Sequence, residues 1–438
     1  VGVPGTVAGM QLALETYGTM TLAEAAAPAI KLAEDGIVVT ADLADSLKAL
    51  EKRLKTWPAS AAIFYKPDGS FYEPGDVLKQ PDLAATLKKI ASEGPDGFYK
   101  GAVAEAISAS VNEAGGAMSL EDLAGYKAVI REPVTGNYRG YDIVSMPPPS
   151  SGGTHIIHIL NVMEGYPIGF LGHNSSDTIH LMAEAMKRAY ADRSEYLGDP
   201  DFTDVPVKAL TSKDYAEKIR NGISLNRATP SSTIKPGTLT PYESDQTTHF
   251  SIVDKDGNAV SNTYTLNFSY GSGMTAAGTG VVLNNEMDDF SAKPGVPNAY
   301  GLIGGDANAV EPRKRPLSSM SPTIVLKDGK PFLVTGSPGG SRIITTTLQV
   351  ISNMVDHGMN VAEATNASRI HHQWLPDEIR VEQGGLSRDT VSALEAKGHR
   401  IAVKSVMGST QSIHVDTEKG LLLGASDSRR TGSATVGY

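Results

Sequence analysis

Three hairpin signals in the second half of the chain restrict its fold more than any other feature. Each joins two strand-forming runs through a short polar turn: "THFSIVDKDGNAVSNTYTL", "PTIVLKDGKPFLVTG" and "SIHVDTEKGLLLGA". The turns fall at Asp256–Gly257, at Asp328–Gly329 and near Lys419–Gly420. Because a short turn joins only antiparallel strands, these segments predict antiparallel sheets rather than the parallel sheet of a doubly wound fold.

Helical periodicity supplies the rest of the fold prediction. In the first half, up to about residue 225, apolar residues recur every three or four positions, as in "LAEAAAPAIKLAEDG" and "DTIHLMAEAMKRAYADR". After the second hairpin, residues 344–355 have one apolar helical face, Gly358 marks a helix stop, and Asn360 with Glu363 forms a capping-box pattern. Helices that cover hairpin sheets predict an α+β layered sandwich.

A polar segment, "RATPSSTIKPGTLTPYESDQ", separates the two halves at residues 227–246. It lacks apolar periodicity and is rich in Pro, Ser and Thr, which predicts an exposed linker. A strand begins directly after it, at Thr247. Cleavage between Gln246 and Thr247 would give this threonine a free α-amino group, which is a known base for a threonine hydroxyl. Taken by itself, the pattern favours ordinary β-favouring threonines, Thr247 and Thr248, at the start of a strand.

Three other segments hold polar groups that would suit an amino-acid ligand. Paired glycines in "TGSPGGSR" precede a helix, so their N–H groups could bind an anion or oxyanion, or the glycines could only allow close packing. Carboxylates at Glu286, Asp288 and Asp289 could hold a cation. Ser318 and Ser319 could hold a carboxylate. An acidic surface loop and a serine turn are the alternative interpretations.

Composition and charge exclude several classes of function. The net charge of -10 argues against a nucleic-acid surface, and the absence of cysteine excludes thiol nucleophiles and Cys-ligated zinc. No run approaches the roughly eighteen apolar residues of a membrane span, and the first residues, "VGVPGTVAGM", do not have the pattern of a signal peptide.

The histidines that stand near these segments are interpreted as structural. His249 lies two strand positions from Thr247, about 6.6 Å along a strand, which is too far for a direct hydrogen bond. His371 and His372 lack a further ligand at the i+4 position, so no metal site is predicted.

Eight motifs, taken in order, resemble those of the γ-glutamyltranspeptidase family of N-terminal-nucleophile hydrolases. They are "PGTVAG", "SMPPPSSGG", "YADRSEYLGDPDF", "QTTHFSIVDKDGNAV", "NNEMDDFS", "KRPLSSMSPT", "TGSPGGSRI" and "MGSTQS". The resemblance extends nearly from end to end and is closest to the Gram-negative bacterial enzymes, which are exported to the periplasm. It therefore implies a periplasmic or secreted protein.

The resemblance implies a four-layer αββα sandwich made by a proenzyme that cuts itself before Thr247. Residues 1–246 would belong to a large subunit and residues 247–438 to a small subunit, and the two would stay together as a heterodimer in one interleaved domain. The implied activity is cleavage of the γ-glutamyl amide of glutathione and related compounds, with transfer to water, an amino acid or a dipeptide. No cofactor is implied.

The family's site residues match positions in this sequence. Thr247 would be the nucleophile, Thr265 would hydrogen-bond to it, and Gly339 with Gly340 would form the oxyanion hole. The resemblance places the substrate contacts on Asn267, Glu286 and Asp289 around the α-amino group, on Ser318 and Ser319 around the α-carboxylate, and on Tyr300 in a lid loop.

The family also places an arginine for the substrate carboxylate upstream of the "PGTVAG" motif. Residue 1 stands just before this motif, so we expect that arginine and the first strands of the fold to lie outside residues 1–438.

Two alternatives remain open at the level of sequence. One is a cephalosporin or glutaryl acylase of the same family, against which Asp289 argues, because a buried acid needs a cationic partner such as a ligand ammonium. The other is an uncleaved, inactive binding protein.

Overall fold

The computed structural model describes residues 1–235, 247–291, 296, 302 and 304–437. The described α-helices are α1 Thr6–Tyr17, α2 Leu22–Asp35, α3 Ala41–Ala49, α4 Glu51–Lys55, α5 Pro58–Phe64, α6 Pro81–Glu93, α7 Asp96–Tyr99, α8 Gly101–Glu113, α9 Leu120–Ala124, α10 Gly152–Glu164, α11 Ile168–Leu171, α12 Ser176–Tyr196, α13 Val207–Leu210, α14 Lys213–Asn221, α15 Arg342–Val355, α16 Val361–Asn366 and α17 Arg388–Ala396. The described strands are β1 Ile37–Val38, β2 Val77–Leu78, β3 Val134–Tyr138, β4 Tyr141–Ser145, β5 Thr248–Val253, β6 Ala259–Tyr264, β7 Thr323–Lys327, β8 Lys330–Thr335, β9 Ile370–His371, β10 Ile379–Glu382, β11 Ile401–Lys404, β12 Gln411–Asp416 and β13 Leu421–Ser426.

The chain folds into two compact units, each built from two stretches of sequence. The first unit comprises Val1–Arg131 and Leu266–Met287, and the second comprises Glu132–Thr265 and Asp288–Tyr438. Each unit therefore contains chain from both sides of the predicted cleavage site. The division into a large and a small subunit that form one interleaved domain stays a prediction.

The first unit is mainly helical. One of its hydrophobic cores surrounds Ile107 and Leu123 and includes Leu283 from the later stretch of sequence. A second core surrounds Leu47 and Leu54. The later stretch is thus held in this unit by burial of apolar side chains.

The second unit is organised around an antiparallel sheet. Six of the described strands pair in the order β13-β12-β8-β7-β4-β3. Strands β3 and β4 precede residue 247, whereas the other four follow it, and β4 pairs with β7 from Tyr141–Lys327 to Ser145–Thr323. Backbone hydrogen bonds of one sheet therefore join the two sides of the predicted cleavage site.

Helices and a second, two-stranded sheet pack against this six-stranded sheet. Helix α10 contacts β3, β4, α12 and α15, while the β5–β6 hairpin contacts β8 and β12. The predicted hairpins are confirmed, with the left-handed φ of their turn glycines at +84° for Gly257, +74° for Gly329 and +66° for Gly420. The capping box at Asn360 and Glu363 is also confirmed. The prediction of an α+β fold with antiparallel sheets is therefore correct.

The prediction of an exposed linker holds for most of its described residues but is wrong at two of them. Ala228 and Ser231 are buried. The N–H of Thr229 donates to Glu184 Oε1 at 3.0 Å, and its carbonyl accepts from Lys187 Nζ at 2.8 Å. The buried ion pair of Glu184 and Lys187 on α12 needs such backbone partners. The sequence pattern of the linker does not indicate this contact. Residues 236–246 lie outside the described residues.

The described helices were also compared with the requirements for crossing a bilayer. None of them combines the necessary length with sufficient hydrophobicity.

Candidate active site

Thr247 stands immediately before strand β5, as the sequence predicts. Its Oγ1 donates a hydrogen bond to Oγ1 of Thr265 at 3.3 Å, and its carbonyl oxygen accepts one from Arg430 at 3.4 Å. The hairpin explains the first contact. Thr248 pairs with Tyr264 at the open end of the β5–β6 ladder, so Thr247 and Thr265, which stand just beyond this pair, lie close together. The two predicted threonines are brought together. Their catalytic roles stay predictions.

His249 is buried in the same hairpin and has two hydroxyl partners. Its Nδ1 lies 2.7 Å from Thr263 Oγ1, and its Nε2 lies 3.1 Å from Ser251 Oγ. Burial lowers the pKa of the imidazole to about 3. A Cβ on Gly336 would lie 2.3 Å from the ring, so this glycine is required for the close packing of the histidine. His249 is a neutral packing residue at neutral pH.

The glycine pair lies in a tight turn that leads into α15. Gly339 has a φ of +135° and Gly340 a φ of +56°, so a side chain at either position would be strained. The carbonyl of Gly339 accepts from Arg342 N–H and that of Gly340 from Ile343 N–H, both at 3.1 Å. Within the described part of the chain, the N–H groups of the two glycines donate no hydrogen bond. Two such donors at the start of a helix are suited to an oxyanion.

The serine pair is held by the loop that precedes α10. Ser318 donates its N–H to the carbonyl of Pro149 at 2.9 Å. The carbonyl of Ser318 accepts both the N–H of Ser151, at 2.9 Å, and its Oγ, at 2.8 Å. The Oγ of Ser318 accepts the N–H of Met320 at 3.0 Å. No described residue accepts the hydroxyl hydrogen of Ser318 or Ser319, so both hydrogens are available to an anionic ligand.

A buried cation lies behind this serine pair. Arg193, on the last turn of α12, donates from Nε to Ser151 Oγ at 2.9 Å and from Nη2 to Ser319 Oγ at 3.2 Å. Burial lowers the pKa of Arg193 to about 10, while Tyr190 and Asp289 attract its positive charge and oppose that change. The guanidinium therefore remains charged at neutral pH.

The acids of "NNEMDDFS" fall in both units. Asp289 belongs to the second unit and is half-buried, and Asn308 donates to its carbonyl at 2.7 Å. Its attraction to Arg193 gives it a cationic neighbour within the protein. The sequence argument that this acid needs a ligand ammonium assumed a buried acid with no cation nearby in the protein. The structure provides a cation, Arg193, so that argument is weaker.

Two further predicted contacts lie in the first unit. Asn267 is buried, has a φ of +71°, and donates to the carbonyl of Asn285 at 3.2 Å. The N–H of Glu286 donates to Asn284 Oδ1 at 3.0 Å. Gln246 and Tyr300 lie outside the described residues.

The histidine pair after α16 is hydrogen-bonded within the fold. His371 contacts Thr345 Oγ1 at 2.8 Å and Gln373 Oε1 at 2.9 Å, and His372 lies 3.3 Å from Asp377. These partners agree with the structural role expected from the sequence.

A different cluster, made of His180, Glu184 and His399, brings its candidate ligand atoms within 4.8 Å of one another. However, Lys187 and Arg188 both donate to the carboxylate of Glu184, at 3.0 and 2.8 Å. The two histidines also bond to each other at 2.7 Å. We therefore assign no metal to this cluster.

Asp192, the neighbour of Arg193, makes stability depend on pH. Burial raises its pKa to about 7, although Tyr215 donates to it at 2.9 Å and acts in the opposite direction. An unfolded aspartate ionises near about 3.9, so the stabilisation from the neutral acid is complete below that pH and is lost as the pH rises to about 7. We expect Asp192→Asn to raise the free energy of unfolding, relative to the unmodified protein, more at pH 8 than at pH 5. Urea titrations at both pH values measure this, and an equal change at the two would contradict it.

The sequence analysis did not predict that Arg193 and Ser151 contact the serine pair. Both stand in motifs that it singled out, "YADRSEYLGDPDF" and "SMPPPSSGG", so a signal was present. What the motifs did not contain is the pairing between these two segments and the serine pair.

Comparisons with known proteins identify the family of this chain. The family described as gamma-glutamyltranspeptidase matches residues 1–437. Glutathione hydrolase proenzyme of Escherichia coli strain K12 is 60% identical over 438 residues, which are 100% of this chain and 75% of that protein. Acylase ACY 1 proenzyme of Pseudomonas sp. strain SE83 is 40% identical over 437 residues, or 99% of this chain and 74% of that protein.

The fold also matches a solved structure along nearly the whole chain. The crystal structure of cephalosporin acylase from Bacillus halodurans gives a TM-score of 0.86 at 31% identity and covers 99% of this chain and 78% of that one. This likeness confirms the predicted fold class, the α+β sandwich of the N-terminal-nucleophile hydrolases. With agreement of sequence and fold over almost every residue, the chain belongs to the γ-glutamyltranspeptidase family, which is a family of enzymes.

Proposed function

We propose that this enzyme is a glutathione hydrolase and γ-glutamyltransferase that uses Thr247 as its nucleophile. The observation that carries the mechanism is the position of Thr247 at the start of β5 with its hydroxyl on Thr265. The substrate is proposed from the relative that is 60% identical, a glutathione hydrolase proenzyme.

Self-cleavage would produce the catalytic group. The hydroxyl of Thr247 attacks the carbonyl carbon of Gln246, and water then hydrolyses the resulting ester. This leaves a carboxylate on Gln246 and a free α-amine on Thr247. The fragments 1–246 and 247–438 would then form a heterodimer, supported by the pairing of β4 with β7.

In the mature enzyme the α-amine would act as the base for its own hydroxyl. The amine takes the hydroxyl proton as Oγ1 attacks the γ-carbonyl of the substrate, and it returns the proton to the leaving nitrogen as the C–N bond breaks. The N–H groups of Gly339 and Gly340 would stabilise the oxyanion. Water or an acceptor amine, from an amino acid or dipeptide, then takes the γ-glutamyl group from the ester. These steps require no metal or organic cofactor.

The α-carboxylate of the substrate would be recognised by hydrogen-bond donors and its α-ammonium by an acid. Ser318 and Ser319 present hydroxyl hydrogens suited to the α-carboxylate, and Asp289 would attract the α-ammonium. Asn267 and Glu286 would add contacts to the ammonium, and Tyr300 would cover the bound glutamyl group.

We also propose that the protein acts in the periplasm or is secreted, and that it cuts its own chain before Thr247. This rests on the resemblance to exported bacterial enzymes. Fractionation of cells that express the full-length gene would test the location. Activity confined to the cytoplasm would contradict it.

A second candidate is acylase activity on cephalosporin or glutaryl substrates. The observation that favours it is the fold match to a cephalosporin acylase, although that protein is only 31% identical. The acid Asp289 and the higher identity to a glutathione hydrolase favour the first candidate.

Purified protein would separate these functions. Denaturing electrophoresis with N-terminal sequencing should give two fragments, the smaller one beginning Thr-Thr-His-Phe, and the preparation should release glutamate from glutathione faster than it cleaves a glutaryl amide. Faster cleavage of the glutaryl amide would establish the acylase. One uncut band without either activity would indicate the binding protein.

The proposed base makes a prediction about pH. An α-amine ordinarily has a pKa of about 7.7 to 8.0, and partial burial should lower the pKa of the Thr247 amine. We therefore expect kcat/KM to rise through about pH 6 to 8. His249 does not titrate there, because burial lowers its pKa to about 3. We therefore expect His249→Gln, in matured enzyme, to leave this limb in place even if the rate falls. Loss of the limb would show that the amine is not the base.

A further inference from the structure

The side chain of Arg193 contacts Ser319 of the predicted carboxylate site and Ser151 of the loop that holds Ser318. It is 4% exposed, and two of its nitrogens donate to serine hydroxyls from different loops. Nη2 reaches Ser319 directly. Nε reaches Ser151, whose N–H and Oγ both hold the carbonyl of Ser318. One guanidinium is therefore hydrogen-bonded to Ser319 directly and linked to Ser318 through Ser151.

We propose that Arg193 is a positioning residue that turns the hydroxyl hydrogen of Ser319 toward the substrate carboxylate and places a buried positive charge behind that hydroxyl. This inference rests on the proposed function and deepens it, because it explains how a neutral serine pair would select substrates with a free α-carboxylate.

The hydrogen-bond inventory of a hydroxyl supports the first part. A serine hydroxyl has one hydrogen to donate and lone pairs that accept. Since the Oγ of Ser319 accepts from Arg193, a donor-only group, the hydrogen of this hydroxyl is directed away from the guanidinium. No described residue accepts this hydrogen. A carboxylate, which only accepts, is the complementary ligand.

Charge supports the second part. A hydroxyl polarised by a cation is a stronger donor than an isolated hydroxyl, and the effect is larger in a buried site because solvent screening is weaker. Asp289 attracts the same guanidinium. Arg193 donates to Ser319 and Asp289 carries the opposite charge, so we expect an α-amino acid to bind with its carboxylate at the serines and its ammonium at the acid.

The competing explanation is that Arg193 only ties α12 to the two loops. In that case its loss would lower stability and reduce turnover of every substrate alike. Selective loss of recognition of the carboxylate would not result.

Two chromogenic substrates separate these explanations: γ-glutamyl-4-nitroanilide and its analogue in which the α-carboxylate is an α-carboxamide. In matured protein, Arg193→Gln should raise KM for the carboxylate substrate on the order of ten- to a hundredfold, with kcat changed by less than about threefold. The KM for the carboxamide should change by less than about threefold. Arg193→Lys, which keeps the charge but loses the planar fork, should fall between.

A double-mutant comparison tests the route through Ser319. If Arg193 acts on this hydroxyl, Arg193→Gln in a Ser319→Ala background should add less than about threefold to the KM of Ser319→Ala alone. The matched control is Arg188→Gln, on the same helix. Arg188 donates to Glu184 rather than to the serines, so its loss should not change the ratio of the two KM values.

The outcomes are distinct. If the unmodified protein cleaves γ-glutamyl-4-nitroanilide but Arg193→Gln weakens both substrates equally, or if its effect is fully additive with Ser319→Ala, the inference is overturned and the proposed function stands. If the unmodified matured protein does not cleave that substrate, the proposed function is overturned and the inference falls with it. Should Arg193→Gln fail to fold, Arg193→Lys decides by the same two criteria.

Discussion

Alanine at position 247 should leave the protein as a single uncut chain without γ-glutamyl activity. The substitution removes the oxygen that would attack the Gln246 carbonyl during self-cleavage and the substrate carbonyl during acyl transfer. Denaturing electrophoresis, N-terminal sequencing and release of glutamate from glutathione measure both effects.

Two companion variants make this result specific. Thr247→Ser should retain part of both activities, because it keeps the hydroxyl. Thr248→Ala changes the adjacent, exposed threonine and should be cut and active, since that side chain has no proposed role. An active Thr247→Ala enzyme would show that the nucleophile is another residue.

Asparagine at position 289 should remove most of the preference for substrates with an α-ammonium. We expect a loss of about 2 to 5 kcal/mol in kcat/KM for γ-glutamyl substrates, the range for truncation of one partner of a desolvated charge pair. The half-buried position of Asp289 favours the lower part of this range. Kinetics on a γ-glutamyl amide measure the loss.

The matched substrate is the glutaryl analogue, which has no amino group and should lose far less. The matched variant is Asp288→Asn, which removes the neighbouring charge and should preserve the preference. Equal losses for the two substrates in Asp289→Asn would show that this acid does not recognise the ammonium. The loss would then be assigned to its interaction with Arg193.

Local signals predicted the elements of this fold well. The turns at Gly257, Gly329 and Gly420 and the capping box at Asn360 depend on residues close in sequence, so their chemistry is visible without the tertiary structure. The linker prediction was wrong at Ala228 and Ser231, which lie on either side of Thr229, and the backbone of Thr229 binds a distant ion pair on α12. Such a contact has no local pattern.

The candidate site divides in the same way. Thr247 and Thr265 could be paired from the hairpin register, since they stand at one end of neighbouring strands. The structure also shows that the N–H groups of Gly339 and Gly340, where a glycine pair precedes a helix, donate to none of the described residues. Both are short-range consequences of turn and strand geometry.

By itself, the sequence determined the fold class, the position of the candidate nucleophile and, through its motifs, the family. The tertiary structure alone decided which loops meet at the serine pair. Ser151 reaches Ser318 across 167 residues, and Arg193 reaches Ser319 across 126. These contacts depend on how α10 and α12 pack near the six-stranded sheet, and packing is a property of many distant residues together. A buried arginine therefore gives no sign, in its own sequence neighbourhood, of the hydroxyl that it holds.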